Sequence, residues 1–170
     1  MEAPVLARQD FSKVFTIHAD ASQSAIGSVL TQEDDNGEEH PFVYISRVLT
    51  PAERNYSTTD REMLAILYAI RKIRCYVEEH QFIIKTFHMA LKYIQSIKEL
   101  TGRLARWILE LQEYDFEIHY KKGSLQVVAD ALSRNIILGN DEIVAFEEVK
   151  NTWYNRRIEE VLRNAKKFSD

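Results

Sequence analysis

The fold is decided by residues 11–46, FSKVFTIHADASQSAIGSVLTQEDDNGEEHPFVYIS, which carry the pattern of three β-strands joined by short links. The first strand alternates in hydropathy and runs into Asp20. Small and apolar residues fill 25–32, and the Asn-Gly pair at 36–37, which precedes a third strand at 41–46, is typical of a hairpin turn. The stretch therefore predicts an antiparallel meander with an acid at the end of its first strand.

Beyond this meander, the pattern alternates between helices and strands. Ser57 offers N-cap chemistry to a helix whose apolar positions keep helical spacing from 59 to 77. The later elements are a strand at 81–86, helices at 88–97 and 103–113, a strand at 114–120 and a short helix at 127–134. The order β-β-β-α-β-α-α-β-α predicts an α/β fold, with a five-stranded mixed sheet flanked by helices.

The character of the chain changes after Asn135. Residues 141–150 are acidic, and residues 151–168 have the spacing of an amphipathic helix. We therefore expect the core domain to end near residue 135. A linker and a C-terminal helical appendage are predicted for residues 136–170.

Composition limits the class of protein. The 170 residues have room for one domain with an appendage, and the single cysteine, Cys75, fits a reducing compartment. Its position in a helical pattern predicts a core or half-core thiol. No apolar run approaches the ~18 residues that span a bilayer, and no signal peptide is recognised, so we expect a soluble intracellular protein, cytoplasmic and also nuclear. The net charge of −4 does not favour a general nucleic-acid binder, but it is compatible with a local basic face.

Three acids stand where carboxylates could serve chemistry. Asp20 ends a strand, Glu62 is placed in the first turn of a helix, and Asp130 sits in an apolar run where an unpartnered acid would be costly. Two-metal phosphodiester cleavage requires carboxylates around Mg²⁺ ions roughly 3.5–4 Å apart. A cap role and a helix-dipole role explain Asp20 and Glu62 equally well. Spacing alone therefore leaves the metal site open.

A resemblance to a known family narrows this choice. The segments that carry it are Asp10–Lys13, Ala19–Ser22, Ile26–Leu30, Tyr44–Thr50, Glu53–Thr59, Glu62–Ile66, Gly102–Trp107 and Val128–Arg134. Together they resemble the ribonuclease H domain in the Pol polyprotein of gypsy-type long-terminal-repeat retrotransposons. The resemblance implies a ribonuclease H-like fold, with residues 1–10 as a remnant of the reverse transcriptase connection, 11–135 as the domain and 136–170 as a segment similar to the one before integrase.

The same resemblance assigns four acidic positions, of which this chain fills three. It implies that Asp20 bridges two metal ions, that Asp130 helps to hold one, and that Glu62 with an acid at position 87 holds the other. The family motif at position 87 is Thr-Asp-His-x-x-Leu, whereas this chain has Phe87 in the same place. We therefore expect the binding of Mg²⁺, with Mn²⁺ as an alternative, to be weakened.

Two nearby side chains were weighed as replacements for the missing acid. His88 could supply a nitrogen, but Mg²⁺ disfavours nitrogen ligands. Asp60 lies on a different helical face from Glu62. Neither is expected to restore the site, so efficient cleavage is expected to be lost, with slow one-metal or Mn²⁺-supported cleavage as the alternative.

A cluster of cations could bind nucleic acid without a metal. Its members are Lys85, Lys92, Lys98, Arg103 and Arg106. Phosphate contacts are independent of sequence, although lysine and arginine on helix faces commonly serve solubility alone.

Two functions therefore remain open from the sequence. The first is an impaired ribonuclease H-like module that binds nucleic acid or a host protein as a scaffold, and the second is an active enzyme that cleaves the RNA strand of RNA–DNA hybrids. The resemblance implies reverse transcriptase and integrase regions as partners within a parent polyprotein. A mobile element, a domesticated host gene and an engineered substitution at Phe87 all fit one sequence.

Overall fold

A mixed β-sheet organises the part of the chain that the structure, a computed structural model, describes: residues 9–88, 91, 102–120, 126–134 and 143–146. The strands are β1 (Phe15–Ala21), β2 (Ala25–Glu33), β3 (Glu39–Val48), β4 (Phe82–Thr86), β5 (Phe116–Tyr120) and β6 (Ile143–Phe146). The helices are α1 (Pro51–Arg54), α2 (Thr58–Lys72), α3 (Arg74–Val77), α4 (Gly102–Leu111) and α5 (Gln126–Arg134).

The sheet has the strand order β5-β4-β1-β2-β3-β6. The first three strands form the predicted antiparallel meander, in which Ile17 pairs with Leu30 and Val29 pairs with Tyr44. Strand β4 lies parallel to β1, and β5 lies parallel to β4. The five predicted strands and their mixed pairing are thus confirmed, and they form the order 3-2-1-4-5 within the larger sheet.

The two faces of the sheet have different coverings. Alternation along β1 turns Phe15 and Ile17 to the face against which α2 packs, and both are fully buried with Met63 and Ile66 of that helix. This face forms the apolar core. The opposite face carries Asp20 and receives α5, which packs on β1 and β2. The acid at the end of β1 therefore lies at the boundary between the two coverings.

The long helix predicted for 59–77 is interrupted. Helix α2 ends at Lys72, and Ile73 leaves helical geometry with φ −108° and ψ 23° before the single turn of α3. Because this break changes the phase of the helical pattern, Cys75 is exposed, and the prediction of a core or half-core thiol is wrong. None of the helices within the described ranges is long and apolar enough to cross a membrane.

A sixth strand forms where the sequence predicted only an acidic linker. Residues 143–146 pair antiparallel with Val43–Ser46 of β3. The strand is the sequence Ile-Val-Ala-Phe, and β3 would otherwise present an unpaired row of backbone groups, so strand formation satisfies both partners. The helical tail predicted at 151–168, and the helix predicted at 88–97 apart from residues 88 and 91, lie outside the described residues.

Helix α5 docks on the sheet through an unusually close approach. An added Cβ at Gly27 of β2 would lie 2.5 Å from the Ala129 carbonyl oxygen and 2.7 Å from Leu132 Cβ. Two serine hydroxyls from the sheet donate to the last carbonyls of the helix: Ser46 Oγ to Leu132 O at 2.9 Å, and Ser22 Oγ to Ser133 O at 2.5 Å. They satisfy acceptors that a helix end otherwise leaves open.

We predict that Gly27→Ala lowers the free energy of unfolding by about 2 kcal/mol or more, because the methyl group must push α5 off the sheet. Chemical denaturation measures this. Gly37→Asn is the matched control: Gly37 has φ 81° with no atom within 4 Å of an added Cβ, and asparagine tolerates that backbone. Equal losses in the two variants would show that close packing of α5 is not the cause.

Candidate metal-binding site

Three elements, β1, α2 and α5, bring the predicted acids together. Asp20 lies at the end of β1, Glu62 in α2 and Asp130 in the middle of α5. Glu62 is in the second turn of its helix rather than the first, because the helix begins after the Ser57 N-cap, whose hydroxyl accepts from the Asp60 N–H. Asp20 and Glu62 are buried, at 9% and 7% exposure, and Asp130 is half-buried.

Position 87 belongs to the same place. Strand β4 runs parallel to β1 with His18 opposite Lys85. Continuing this register by two residues puts position 87 level with Asp20, on the same face of the sheet. The residue there is Phe87, half-buried at the bend that follows β4. Phe87, the residue that this continued register places level with Asp20, offers no oxygen.

Each acid has a partner from the protein itself. Ser133 Oγ donates to Asp20 Oδ2 at 2.9 Å. Asp130 forms an ion pair with Arg134, one helical turn later. The Ala21 N–H donates to the carboxylate of Glu62. The acids are thus held individually by a hydroxyl, a guanidinium and a backbone amide.

The electrostatics show that the three carboxylates sense one another. Burial, with the charges of Asp20 and Asp130 added, raises the pKa of Glu62 to about 8. Burial also raises the pKa of Asp20 to about 6, reinforced by Asp130 and opposed by the Ser133 hydrogen bond and the charge of Arg134. Carboxylates with raised pKa values at a cluster of this kind are common at functional sites.

The donor set fits a divalent cation in chemistry but does not form a closed site. Oxygen ligands and clustered negative charge suit Mg²⁺. Across residues 9–88, 91, 102–120, 126–134 and 143–146, however, no group of three or more histidine, cysteine or acidic side chains is arranged to hold a metal ion. The three acids do not form a complete coordination sphere, and the Phe87 side chain has no atom that could serve as a further ligand.

The two side chains considered as replacements for the missing acid, Asp60 and His88, lie in different environments. Asp60 pairs with Arg103 at 3.4 Å. His88 follows Phe87 directly, and its backbone N–H donates to the fully buried Thr86 Oγ1 at 3.1 Å. Its Nδ1 is buried without a hydrogen-bond partner in the described part of the chain.

Lys85 of the predicted basic cluster is engaged inside the protein. Its ammonium pairs with Glu39, whose carboxylate also lies 2.9 Å from Nε2 of the fully buried His18. These contacts, His18 first, lower the pKa of Glu39 to about 2 despite its partial burial. Lys92 and Lys98 lie outside the described residues.

Arg103 and Arg106 begin α4 beside the start of α2. The Arg103 guanidinium lies 3.5 Å from the centroid of the Tyr56 ring and pairs with Asp60. Trp107 is half-buried and packs against the core. Arg106 is exposed. The turn of α4 that carries the two arginines therefore lies beside the first turn of α2.

Sequence reasoning missed the partners of the acids. Ser133 and Arg134 follow Asp130 by three and four residues, the spacing that places side chains on one face of a helix. That spacing could have identified the pair of Asp130 with Arg134, whereas the contact of Ser133 with Asp20 joins elements that are distant in sequence. Gly27 carried no local signal, because only the docked helix shows why a side chain is excluded there.

Comparison with known proteins gives one matching family. The profile described as "RNase H-like domain found in reverse transcriptase" matches residues 10–114. The chain is 44% identical over 131 residues to the retrovirus-related Pol polyprotein from transposon 297 of Drosophila melanogaster, covering 77% of this chain and 12% of the polyprotein. It is 42% identical over 135 residues to the transposon Tf2-3 polyprotein of Schizosaccharomyces pombe, covering 77% and 10%. The chain thus spans about a tenth of these relatives.

Solved structures share the fold. The foamy viral protease-reverse transcriptase in complex with dsDNA matches with a TM-score of 0.57 and 17% identity, covering 69% of this chain and 25% of that chain. The native prototype foamy virus protease-reverse transcriptase matches with a TM-score of 0.55 and 18% identity, covering 69% and 16%.

We predict that Glu62→Gln stabilises the protein in EDTA by about 1–3 kcal/mol at pH 8. The folded state raises the pKa of Glu62 to about 8 from 4.5, so it holds a proton that the unfolded state releases. The free energy of unfolding of the parent should therefore fall between about pH 4.5 and pH 8, and the variant should lose much of this slope. Urea denaturation across this pH range measures both. The exposed Glu33→Gln is the control, and a parallel slope in Glu62→Gln would contradict the assignment.

Proposed function

The chain belongs to the family of RNase H-like domains found in reverse transcriptase, in the gypsy-type Pol group, and on that premise we propose that it is a retrotransposon-derived domain whose nuclease chemistry is impaired. It acts instead as a module that binds nucleic acid or protein. The observation that supports this proposal is that Phe87 directly follows β4, whose parallel register with β1, continued by two residues, reaches Asp20. An aromatic ring at this point replaces a charged ligand with an apolar surface.

The three remaining acids support weak metal binding. Asp20, Glu62 and Asp130 are the residues that would hold Mg²⁺ or Mn²⁺. A bound ion of this kind supplies an activated water and stabilises charge on a phosphodiester. The chain contributes Asp20 held by Ser133, Glu62 held by the Ala21 amide, and Asp130, which must share its carboxylate with Arg134. With one ligand short, a second ion has little to bind.

An active ribonuclease H is the second candidate, and one observation favours it. Burial raises the pKa values of Asp20 and Glu62, and keeping these carboxylates buried lowers the stability of the fold. A purely structural module gains nothing from this loss, whereas a functional site uses such acids. In this alternative the enzyme cleaves the RNA strand of an RNA–DNA hybrid with two metal ions.

The start of α4 is the proposed contact with the nucleic-acid backbone. Arg106 is exposed, and Arg103 is fixed by Tyr56 and Asp60 so that its position is defined. Cations at fixed positions contact phosphates without reading sequence. Lys85 contributes less in this proposal, because Glu39 already neutralises its charge. The binding partner is an RNA–DNA hybrid, with a host protein as the alternative.

The domain limits follow the same proposal. Residues 1–10 belong to the reverse transcriptase connection, 11–135 form the ribonuclease H-like domain, and 136–170 lead toward integrase in a longer polyprotein. The family match over 10–114 supports the start of the domain, and α5 extends the fold to residue 134. Strand β6, from the segment beyond residue 135, adds to the same sheet. Such a module would work in the cytoplasm and the nucleus, where reverse transcription products are found.

We predict that the parent chain cleaves a labelled RNA–DNA hybrid at least about 100-fold more slowly than Phe87→Asp, with Mg²⁺ or Mn²⁺, because the new carboxylate restores a ligand. Single-turnover cleavage assays measure this. Phe87→Leu is the matched control, since it changes the ring without adding an oxygen. The double variant Phe87→Asp with Asp20→Asn should be inactive. Robust cleavage by the parent that is abolished by Asp20→Asn would overturn the impairment and establish the alternative.

We predict that Arg106→Ala weakens hybrid binding by a factor of about 2–5 and lowers the slope of log affinity against log salt by roughly one, as the loss of one phosphate contact requires. Fluorescence anisotropy across a salt series measures both. Arg74→Ala is the control, because Arg74 is exposed, pairs with Glu78 and lies beyond the opposite end of α2 from Glu62. Equal weakening by both substitutions would show general charge attraction rather than a contact at α4.

A further inference from the structure

Ser133 stands apart from the other serines that contact α5. Ser22 lies in the turn between β1 and β2 and Ser46 lies on β3, and their hydroxyls donate to backbone carbonyls of the helix. Ser133 lies on the helix itself, is fully buried, and donates to a side-chain carboxylate on the sheet, Oδ2 of Asp20 at 2.9 Å. Its contact therefore links α5, which carries Asp130, to the side chain of Asp20.

The hydroxyl of Ser133 has one proton and two acceptors within reach. The second acceptor is the carbonyl oxygen of Asp130, 2.8 Å away in the preceding turn. A carboxylate is the stronger acceptor, because a charge-assisted hydrogen bond is roughly twice as strong as a neutral one. The proton therefore goes to Asp20 whenever that carboxylate is ionised, and it turns to the Asp130 carbonyl when Asp20 is protonated.

Fixing one oxygen of a planar carboxylate also fixes the other. With Oδ2 bound to Ser133, rotation of the Asp20 carboxylate would break the hydrogen bond, so Oδ1 has a defined direction. Because the anchor lies on α5, that direction is set relative to Asp130 on the same helix. The close packing of α5 against Gly27 limits movement of the helix relative to the sheet, since the Ser133 backbone nitrogen would lie 2.7 Å from a Cβ added at Gly27.

We propose that Ser133 is a positioning residue for the metal site, which orients the Asp20 carboxylate so that Asp20 and Asp130 can share one divalent cation. This rests on the proposed function in so far as the acids are taken to bind a metal. Residues that orient metal ligands typically contribute 10–100-fold to affinity. Loss of the Ser133 hydroxyl should therefore change metal affinity far more than the loss of a hydroxyl that only docks the helix.

The test uses Mn²⁺ as the probe and electron paramagnetic resonance of the free ion to measure its affinity. In a Phe87→Asp background, Ser133→Ala is expected to weaken Mn²⁺ binding by about tenfold or more. Ser46→Ala is the matched control, because its hydroxyl binds the Leu132 carbonyl and touches no acid. It is expected to change the affinity less than twofold. Metal-free melting of both variants measures how much each hydroxyl contributes to folding alone.

A second variant separates the hydrogen bond from packing. Ser133→Cys keeps the side-chain shape but offers a weak donor, so it should bind Mn²⁺ with intermediate affinity. Equal affinities for Ser133→Ala and Ser46→Ala, or an affinity that follows only the melting temperature, would overturn the role of Ser133 while leaving the metal site in place. Failure of Phe87→Asp itself to bind Mn²⁺ would instead overturn the proposed metal site, and the role of Ser133 with it.

Discussion

The candidate site depends on the contact of α5 with the sheet at Gly27. Asp130 is near Asp20 only because the helix backbone comes within van der Waals distance of a strand position that has no side chain. The hydroxyls of Ser22 and Ser46 secure the end of the same helix. A packing constraint on the backbone at Gly27, the cross-strand partner of Asp20, thus sets the geometry of the acids.

The same packing creates an electrostatic cost. Three carboxylates lie at the boundary between the two coverings of the sheet, and burial raises the pKa values of Glu62 and Asp20. Ser133, Arg134 and the Ala21 amide each offset part of this cost. A cation would offset more of it, and Phe87 offsets none. The site therefore keeps a cluster of three carboxylates, and Phe87 is its one neutral, apolar member.

Much of this fold was predictable because it rests on local patterns. Alternation in β1 and helical spacing in α2 identify elements whose faces are buried, and Asp20, Glu62 and Asp130 were recognised from motifs. The break at Ile73 was not, since a buried isoleucine continues the apolar pattern while its backbone leaves the helix. The pairing of Lys85 with Glu39, whose carboxylate also contacts His18, was missed as well, because strands distant in sequence bring those groups together. Predicted contacts at Lys92 and the tail stay predictions.

The pairing of β6 with β3 has a consequence for the order in which the chain can fold. The meander is made early, and its inner strands can pair as soon as they are synthesised. The outer edge of β3, however, stays open until residues 143–146 have been made, after every other strand of the sheet. An open edge is a template for other chains. During synthesis, therefore, the edge of β3 stays available for pairing with other chains until β6, the last strand of the described sheet, has been made.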